Sequence, residues 1–257
     1  MTKDTTVGAD PKRSIDLLWG DAEPGRRGPK PRHSVDKVVE AAIAVADAEG
    51  LTAISVRRIA LELGVSAMSI YTYVPSKAEL VELMFDRVLG EMAAPPSADV
   101  GWREALTDVA RERWRMSERH PWMLDLAMHR PPLGPNLVRR HESALGALDS
   151  TGLDDLTKDL VIDVLHNFLL GALKQARDAR EAEQLSGLTD EQWFAVAEPA
   201  ITARLDPSRF PHLLRLSEAW RAADKSVVAD PLWRFGFGLD VVLDGIEALI
   251  AARRAAA

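Results

Sequence analysis

Residues 55–77 read SVRRIALELGVSAMSIYTYVPSK, and the order of cap, apolar stripe, glycine and second cap within them decides the fold. Ser55 can cap a helix on which Val56, Ile59, Ala60 and Leu63 recur at i, i+3, i+4 and i+7, which is one apolar face. Gly64 follows that face, where a helix end favours a residue that tolerates positive φ. Val65 is the apolar residue that a helix-turn-helix corner buries, and Ser66 can cap the next helix. On that helix, expected from Ser66 to Tyr73, Ile70 turns inward while Ala67, Met68, Ser69, Thr72 and Tyr73 remain outside. Small, hydroxyl and aromatic side chains on a short helix suit a major groove, where base edges offer donors and acceptors. Val74-Pro75 ends the helix, because proline disfavours α geometry in the residue before it.

Working outward, Ser76-x-x-Glu79 reads as a capping box that opens a longer helix with Leu80, Leu83, Met84 and Val88 inward. Lys77 lies in its first turn, against the positive end of the helix dipole. A phosphate bound at that N-terminus would make the placement favourable; an exposed lysine without a role is the competing reading. Upstream, Ser34 caps a helix running to Glu49 and closed by Gly50, with Val38, Ala42 and Val45 buried and Leu51 and Ile54 continuing the same core. Residues 26–32, RRGPKPR, set four cations on a proline-extended stretch. That is an arm for a minor groove or a solvated linker. Residues 1–25 are polar, lack periodicity beyond Ile15 to Trp19, and are expected to be disordered.

Ala42, Gly50, Ser55, Arg57, Ile59, Ala60, Leu63-Gly64-Val65, Ile70-Tyr71, Tyr73, Pro75, Lys77 and Leu80 carry a resemblance. In order and without gaps, the stretch from Ser34 to Met92 resembles the DNA-binding domain of the TetR family of bacterial transcriptional repressors. The segments HPWMLDLAMHRPPLGPN (120–136) and FGFGLDVVLDGIEAL (235–249) resemble the C-terminal domain of the Tet-repressor branch; the interval 180–230 does not. The resemblance implies a dimeric repressor whose C-terminal domain binds a small molecule and thereby releases DNA. It implies that Ser66, Ala67, Met68, Ser69 and Thr72 face the major groove. Ser55, Arg57, Tyr71, Tyr73 and Lys77 would mainly grip phosphates, Arg57 having the alternative of a base edge.

Composition bounds the rest. The chain has 257 residues, 47% hydrophobic and 28% charged, ordinary for a soluble globular protein. Without cysteine it has neither disulfides nor a thiolate metal site, and with no leader-like or membrane-length apolar run it is expected in the cytoplasm. The net charge is −7, yet residues 26–90 carry nine basic and eight acidic side chains, the least acidic part of the chain. DNA affinity must then come from placed cations, among them Arg57, Arg58 and Lys77, and be salt-sensitive.

The expected organisation is all-α: a flexible basic arm over 1–33, a three-helix helix-turn-helix domain over 34–92, and a larger helical effector-binding and dimerisation bundle over 93–257. The Ala93 to Asp99 stretch, with two prolines, marks the hinge. Helices are expected over Trp102–Arg119, Trp122–Met128, Asn136–Leu148 and Leu156–Arg180. A Thr189-x-x-Gln192 box should open a helix kinked near Pro199, followed by Pro211–Ala222 and a last helix from Pro231 to about Arg253. Gly236-Phe-Gly238 lies inside a helix, so it serves close helix approach rather than phosphate binding. With Leu239, Leu243 and the facing Phe168 it forms the candidate dimer interface. His166 and Asn167 interrupt an apolar run and either reach an effector or satisfy the bundle. Trp102, Trp114, Trp122 and Met128 either line an apolar effector pocket or are core. The histidines have no metal-ligand spacing and no nucleophile is paired with a base, so no metal, cofactor or catalysis is expected. The expected partners are a double-stranded DNA operator, a largely apolar small-molecule effector and a second copy of the chain. A DNA-tethered protein-docking module and an effector-independent regulator are the alternatives.

Overall fold

The computed structural model describes residues 10–20, 34–93, 100–126, 130–223 and 230–256, and every regular element among them is helical. In chain order these are α1 (Pro11–Leu18), α2 (Val35–Glu49), α3 (Val56–Leu63), α4 (Ala67–Tyr71), α5 (Lys77–Glu91) and α6 (Trp102–Arg119). They continue with α7 (Pro135–Ala147), α8 (Asp155–Ser186), α9 (Asp190–Thr202), α10 (Pro211–Ala222) and α11 (Pro231–Ala256). The expected caps form. Ser34, Ser55, Ser66 and Ser76 each accept the N–H three residues on, and Thr189 and Gln192 complete a reciprocal box. Gly64 takes the left-handed conformation at the end of α3, with φ 65° and ψ 34°.

The chain divides into two compact units, the first ending at Ile162 and the second beginning at Asp163. The first extends well past Met92 for a physical reason. The apolar core of Val38, Ala42, Ile59, Ile70, Met84 and Val88 is completed by Met116, Trp122 and Met123 from beyond the expected hinge. In the second unit, Leu165, Leu169 and Leu173 of α8 and Phe235, Leu239, Leu243 and Ile246 of α11 form buried apolar stripes. Neither α9 nor α10 buries any residue.

Three expectations are corrected. Residues 11–18 are not disordered but form α1, capped by Asp10 and opened by Pro11. Arg13 pairs with the buried carboxylate of Glu79, and the Trp19 indole donates to the Leu133 carbonyl at 2.8 Å. The partners that hold α1 lie far along the chain, so a single short turn of apolar residues could not display them. Second, the Glu79 side chain serves Arg13 rather than closing the box with Ser76. Third, the short helix expected from Trp122 to Met128 is a 3-10 turn at Pro121–Asp125. The basic stretch 26–32 and Met128 lie outside the described residues.

Candidate nucleic-acid interface

The turn between α3 and α4 is tied by Val65 N–H to the Ala60 carbonyl at 2.9 Å, the bond that a left-handed residue after a helix permits. Val65 packs into the core as expected, which fixes α4 against α3. Ser66 caps α4, and its hydroxyl lies 2.9 Å from that of Ser69. The regular helix is shorter than expected, ending at Tyr71. Beyond it the backbone tightens, with Thr72 and Tyr73 N–H groups bonded three residues back and the Thr72 hydroxyl donating to the Ser69 carbonyl at 2.6 Å. Val74 is buried and Pro75 follows, so the chain turns into α5 there.

Ile70 is the sole buried side chain of α4. Met68 is 74% exposed and Tyr71 48%, and Ser66, Thr72 and, on α3, Ser55 and Arg57 are partly or fully exposed beside them. Ser69 and Lys77 are half-buried. Ala67 and Tyr73, expected outside, are also half-buried and pack against the core, because on a five-residue helix the positions flanking Ile70 are drawn inward with it. Arg58 is another matter. Its guanidinium bonds Glu49 at 2.7 Å and Glu62 at 2.8 Å, and these carboxylates hold its pKa above the ordinary arginine value. Arg58 is therefore a fastener between α2 and α3, while Arg57, one residue back, is exposed to solvent.

Behind these helices lies a polar cluster. His120 is buried, with Nδ1 2.8 Å from Asp47 of α2 and Nε2 3.1 Å from Glu91 at the end of α5. The Trp122 indole donates to the same Asp47 oxygen at 2.7 Å, and its ring is only 2% exposed. Trp122 is thus part of the core behind α3 and α4. Its hydrogen bond to a charged group is worth about 1.5–3 kcal/mol, which joins the 3-10 turn to α2.

The remaining candidates divide. Trp114 is buried on α6 and Trp102 half-buried at its start. Between them in the helix, Arg113 has its pKa pushed down to about 10 by burial and then by the neighbouring cation Arg140. His166 and Asn167 are on the exposed side of α8. Asn167 and Phe168 help line a half-open groove of about 400 Å³ with Gly171, Arg234 and Phe235. Phe168 stacks on Phe235 with ring centroids 6.0 Å apart, and a Cβ at Gly238 would lie 2.6 Å from the Phe168 ring. Gly238 therefore serves helix approach inside one chain, and Leu239 and Leu243 are buried there too. The apolar side chains that α8 and α11 leave exposed include Val164, Leu170, Trp233, Phe237 and Val241. Phe237 stacks on Trp233 at 6.0 Å. Among the described residues no helix is long and apolar enough to cross a membrane.

A short helix presenting polar and aromatic side chains, held by a glycine turn on a second helix and backed by two more, defines a helix-turn-helix protein. Residues 38–84 match the model of the tetR family of bacterial regulatory proteins, and residues 94–250 match that of the tetracyclin repressor-like C-terminal domain. The HTH-type transcriptional repressor DrrR1 of Streptomyces coeruleorubidus is 40% identical over 252 residues, covering 98% of this chain and 91% of that protein. Among solved structures, ActR of Streptomyces coelicolor in complex with actinorhodin superposes with a TM-score of 0.70 at 29% identity, over 84% of this chain and 96% of that one. The same protein with (S)-DNPA gives 0.67 at 30% identity, over 84% and 98%. The chain belongs to the TetR family of transcriptional regulators.

Proposed function

We propose that this protein is a homodimeric repressor that binds a palindromic double-stranded DNA operator and leaves it when a small molecule binds the helices beyond Met92. The observation that carries the reading is α4 itself, a helix with one buried anchor, Ile70, and a solvent-facing set of Ser66, Met68, Tyr71 and Thr72. Ser69 and Thr72 read base edges, while Ser55, Arg57, Tyr71, Tyr73 and Lys77 hold phosphates. DNA recognition is assigned to 34–92, and effector binding and dimerisation to 93–257. The relation to ActR, whose solved complexes hold actinorhodin and (S)-DNPA, supports a small-molecule effector. Trp102 and Trp114 supply apolar surface for it, and the half-buried Arg113 adds a cation suited to a negatively charged group on the ligand. Dimerisation is assigned to the exposed stripe of Val164, Trp233, Phe237 and Val241, since apolar area of this kind at a surface marks an interface.

A second reading, a protein-docking surface, is favoured by α9 and α10, which hold Trp193, Phe194, Val196, Leu213 and Leu216 exposed. The test concerns DNA. Lys77→Ala should weaken binding to every duplex and lower the salt slope by about one unit for each phosphate that the lysine neutralises. Ser69→Ala and Thr72→Ala should change base preference more than affinity. Equal losses on all duplexes for both kinds of variant would refute the division of roles.

A further inference from the structure

Two helices of the first unit terminate each other. At the start of α7, Pro135 has no N–H, which leaves the amides of Asn136 and Leu137 as the first unbonded donors. No side chain of α7 caps them. The buried carboxylate of Asp86, on α5, takes both: Oδ1 accepts Asn136 N–H at 3.1 Å and Leu137 N–H at 2.9 Å. The Asn136 side-chain amide adds bonds of 3.0 Å to Asp86 Oδ2 and to the Asp86 carbonyl, and its oxygen accepts from Arg139 at 3.1 Å. One turn along α7, Arg140 reaches the C-terminal end of α5. Its Nε donates to the Leu89 carbonyl at 2.7 Å and its Nη2 to those of Met92 at 2.6 Å and Ala93 at 3.2 Å. An anion thus sits at the positive end of α7 and a cation at the negative end of α5, so both dipole interactions are favourable.

The backbone is shaped for this. A Cβ at Gly134 would lie 2.3 Å from the Asp86 carboxylate carbon, and one at Gly90 would lie 3.0 Å from the Asn136 amide nitrogen. Gly134 has room only for hydrogen, and a side chain at Gly90 would push the Asn136 amide from its place. In an ordinary helix pair the contact is apolar and can slide by small increments. Here each helix end is bonded to the other helix by a charged group, at two points a turn or so apart, which resists sliding and rotation alike.

We propose that Asp86 and Arg140 are positioning residues for DNA recognition, making α5 and α7 one rigid body so that the α4–Lys77 reading head keeps a fixed setting. The inference rests on the reading above, a regulator with two reading heads. Loss of either cap lets α5 swing relative to α7. The heads of a dimer then lose their fixed separation, and with it the preference for one spacing of half-sites.

The test uses the full-length chain and duplexes carrying two copies of the half-site enriched by in vitro selection with the wild-type protein, differing only in the spacer. Wild type should prefer one spacing by roughly tenfold or more, within the usual range of coupling between sites. Asp86→Asn, which keeps the shape and removes the charge, should flatten that preference. Amide exchange at Asn136 and Leu137, measured on the same samples, reports that the cap has opened. Arg140→Met opens the other end and should flatten the profile likewise; it carries the test alone if Asp86→Asn does not fold. A lower melting temperature by itself would not alter relative affinities among spacers. Opened caps with the wild-type spacing profile retained would overturn the proposal. A wild-type protein indifferent to spacing would refute the two-headed reading and this proposal with it, and the two failures are told apart by whether wild type or only the variants lack the preference.

Discussion

Every buried polar or charged residue among the described ones lies in the first unit: Ser14, Glu79, Asp86, Ser117, His120, Thr151 and Lys158. Among its described residues the second unit buries only apolar side chains and leaves Trp193, Phe194, Trp233, Phe237 and Val241 at its surface. Buried charges that are bonded, as at Asp86, His120 and Lys158, specify one arrangement, because any other arrangement strands them. Exposed aromatic and branched side chains specify a missing surface instead. The first unit is therefore built for close placement of its helices. The second is built to be covered. That contrast fits a molecule whose reading head is held rigidly and whose other half is completed by association.

The largest effect should come from the centre of the first unit. Trp122→Ala removes a fully packed ring and the donor to Asp47, and should cost about 3–5 kcal/mol in denaturant unfolding. A loss below about 1 kcal/mol, the size expected of a surface change, would mean that Trp122 lines a cavity after all. In the second unit, Phe237→Asp should cost at least about 2 kcal/mol of association, as charge does in the centre of an interface, and move the sedimentation profile to monomer. Unchanged sedimentation would show the stripe to be uncovered in the assembly, erasing the contrast between the units. Gly238→Leu tests the inside of the same helix. Overpacking against Phe168 should cost about 1–3 kcal/mol of stability, whereas an interface glycine would show its effect in association alone.

The smallest effect sharpens the first half of the comparison. Burial pushes the Glu82 carboxyl above its ordinary value; the Ser14 hydroxyl holds it down in part, and the charge on Glu79 adds to the rise. One Glu82 oxygen is buried with no partner among the described residues. A raised carboxyl pKa means that the folded state disfavours the charged form. The penalty is fully present above the raised folded value, fades as pH falls through it, and is gone below the ordinary value of 4.5. Glu82→Gln should accordingly raise the melting temperature at neutral pH, and the gain should vanish in acid. A gain independent of pH would assign the effect to packing.

How legible each unit was follows from the same contrast. Caps, stripes and breakers are local, so Ser34, Ser55, Ser66 and Ser76, the glycine at 64, the helices of 102–119 and 211–222 and the start of the one that Thr189 caps can be read from sequence. The partner of a buried charge is not local. Asp86 stands fifty residues from Asn136, and Asp47 more than seventy from His120 and Trp122, so periodicity shows only an acid where an apolar residue was due. That interruption was a usable signal at Asp86, flanked by Met84, Phe85, Val88 and Leu89. The glycines suggested close approach but not toward what: Gly238 lies against Phe168, whereas a Cβ at Gly236 would meet nothing within 4 Å, so the expectation fails there. The exposed stripe on α11 is offset by one or two positions from the buried one, and both are apolar, so hydropathy alone merges them.

The central claim is that two copies of the α4 head act together on DNA. The measurement is in vitro selection from random double-stranded DNA with the full-length chain, followed by sedimentation of the enriched duplex with protein. The expected product is an inverted repeat with half-sites about 34–36 Å apart or a multiple of that, bound by an even number of chains and lost on replacing Tyr71 and Thr72 by alanine. Enrichment of no repeat, or a complex that the Tyr71 and Thr72 replacements leave intact, would contradict it.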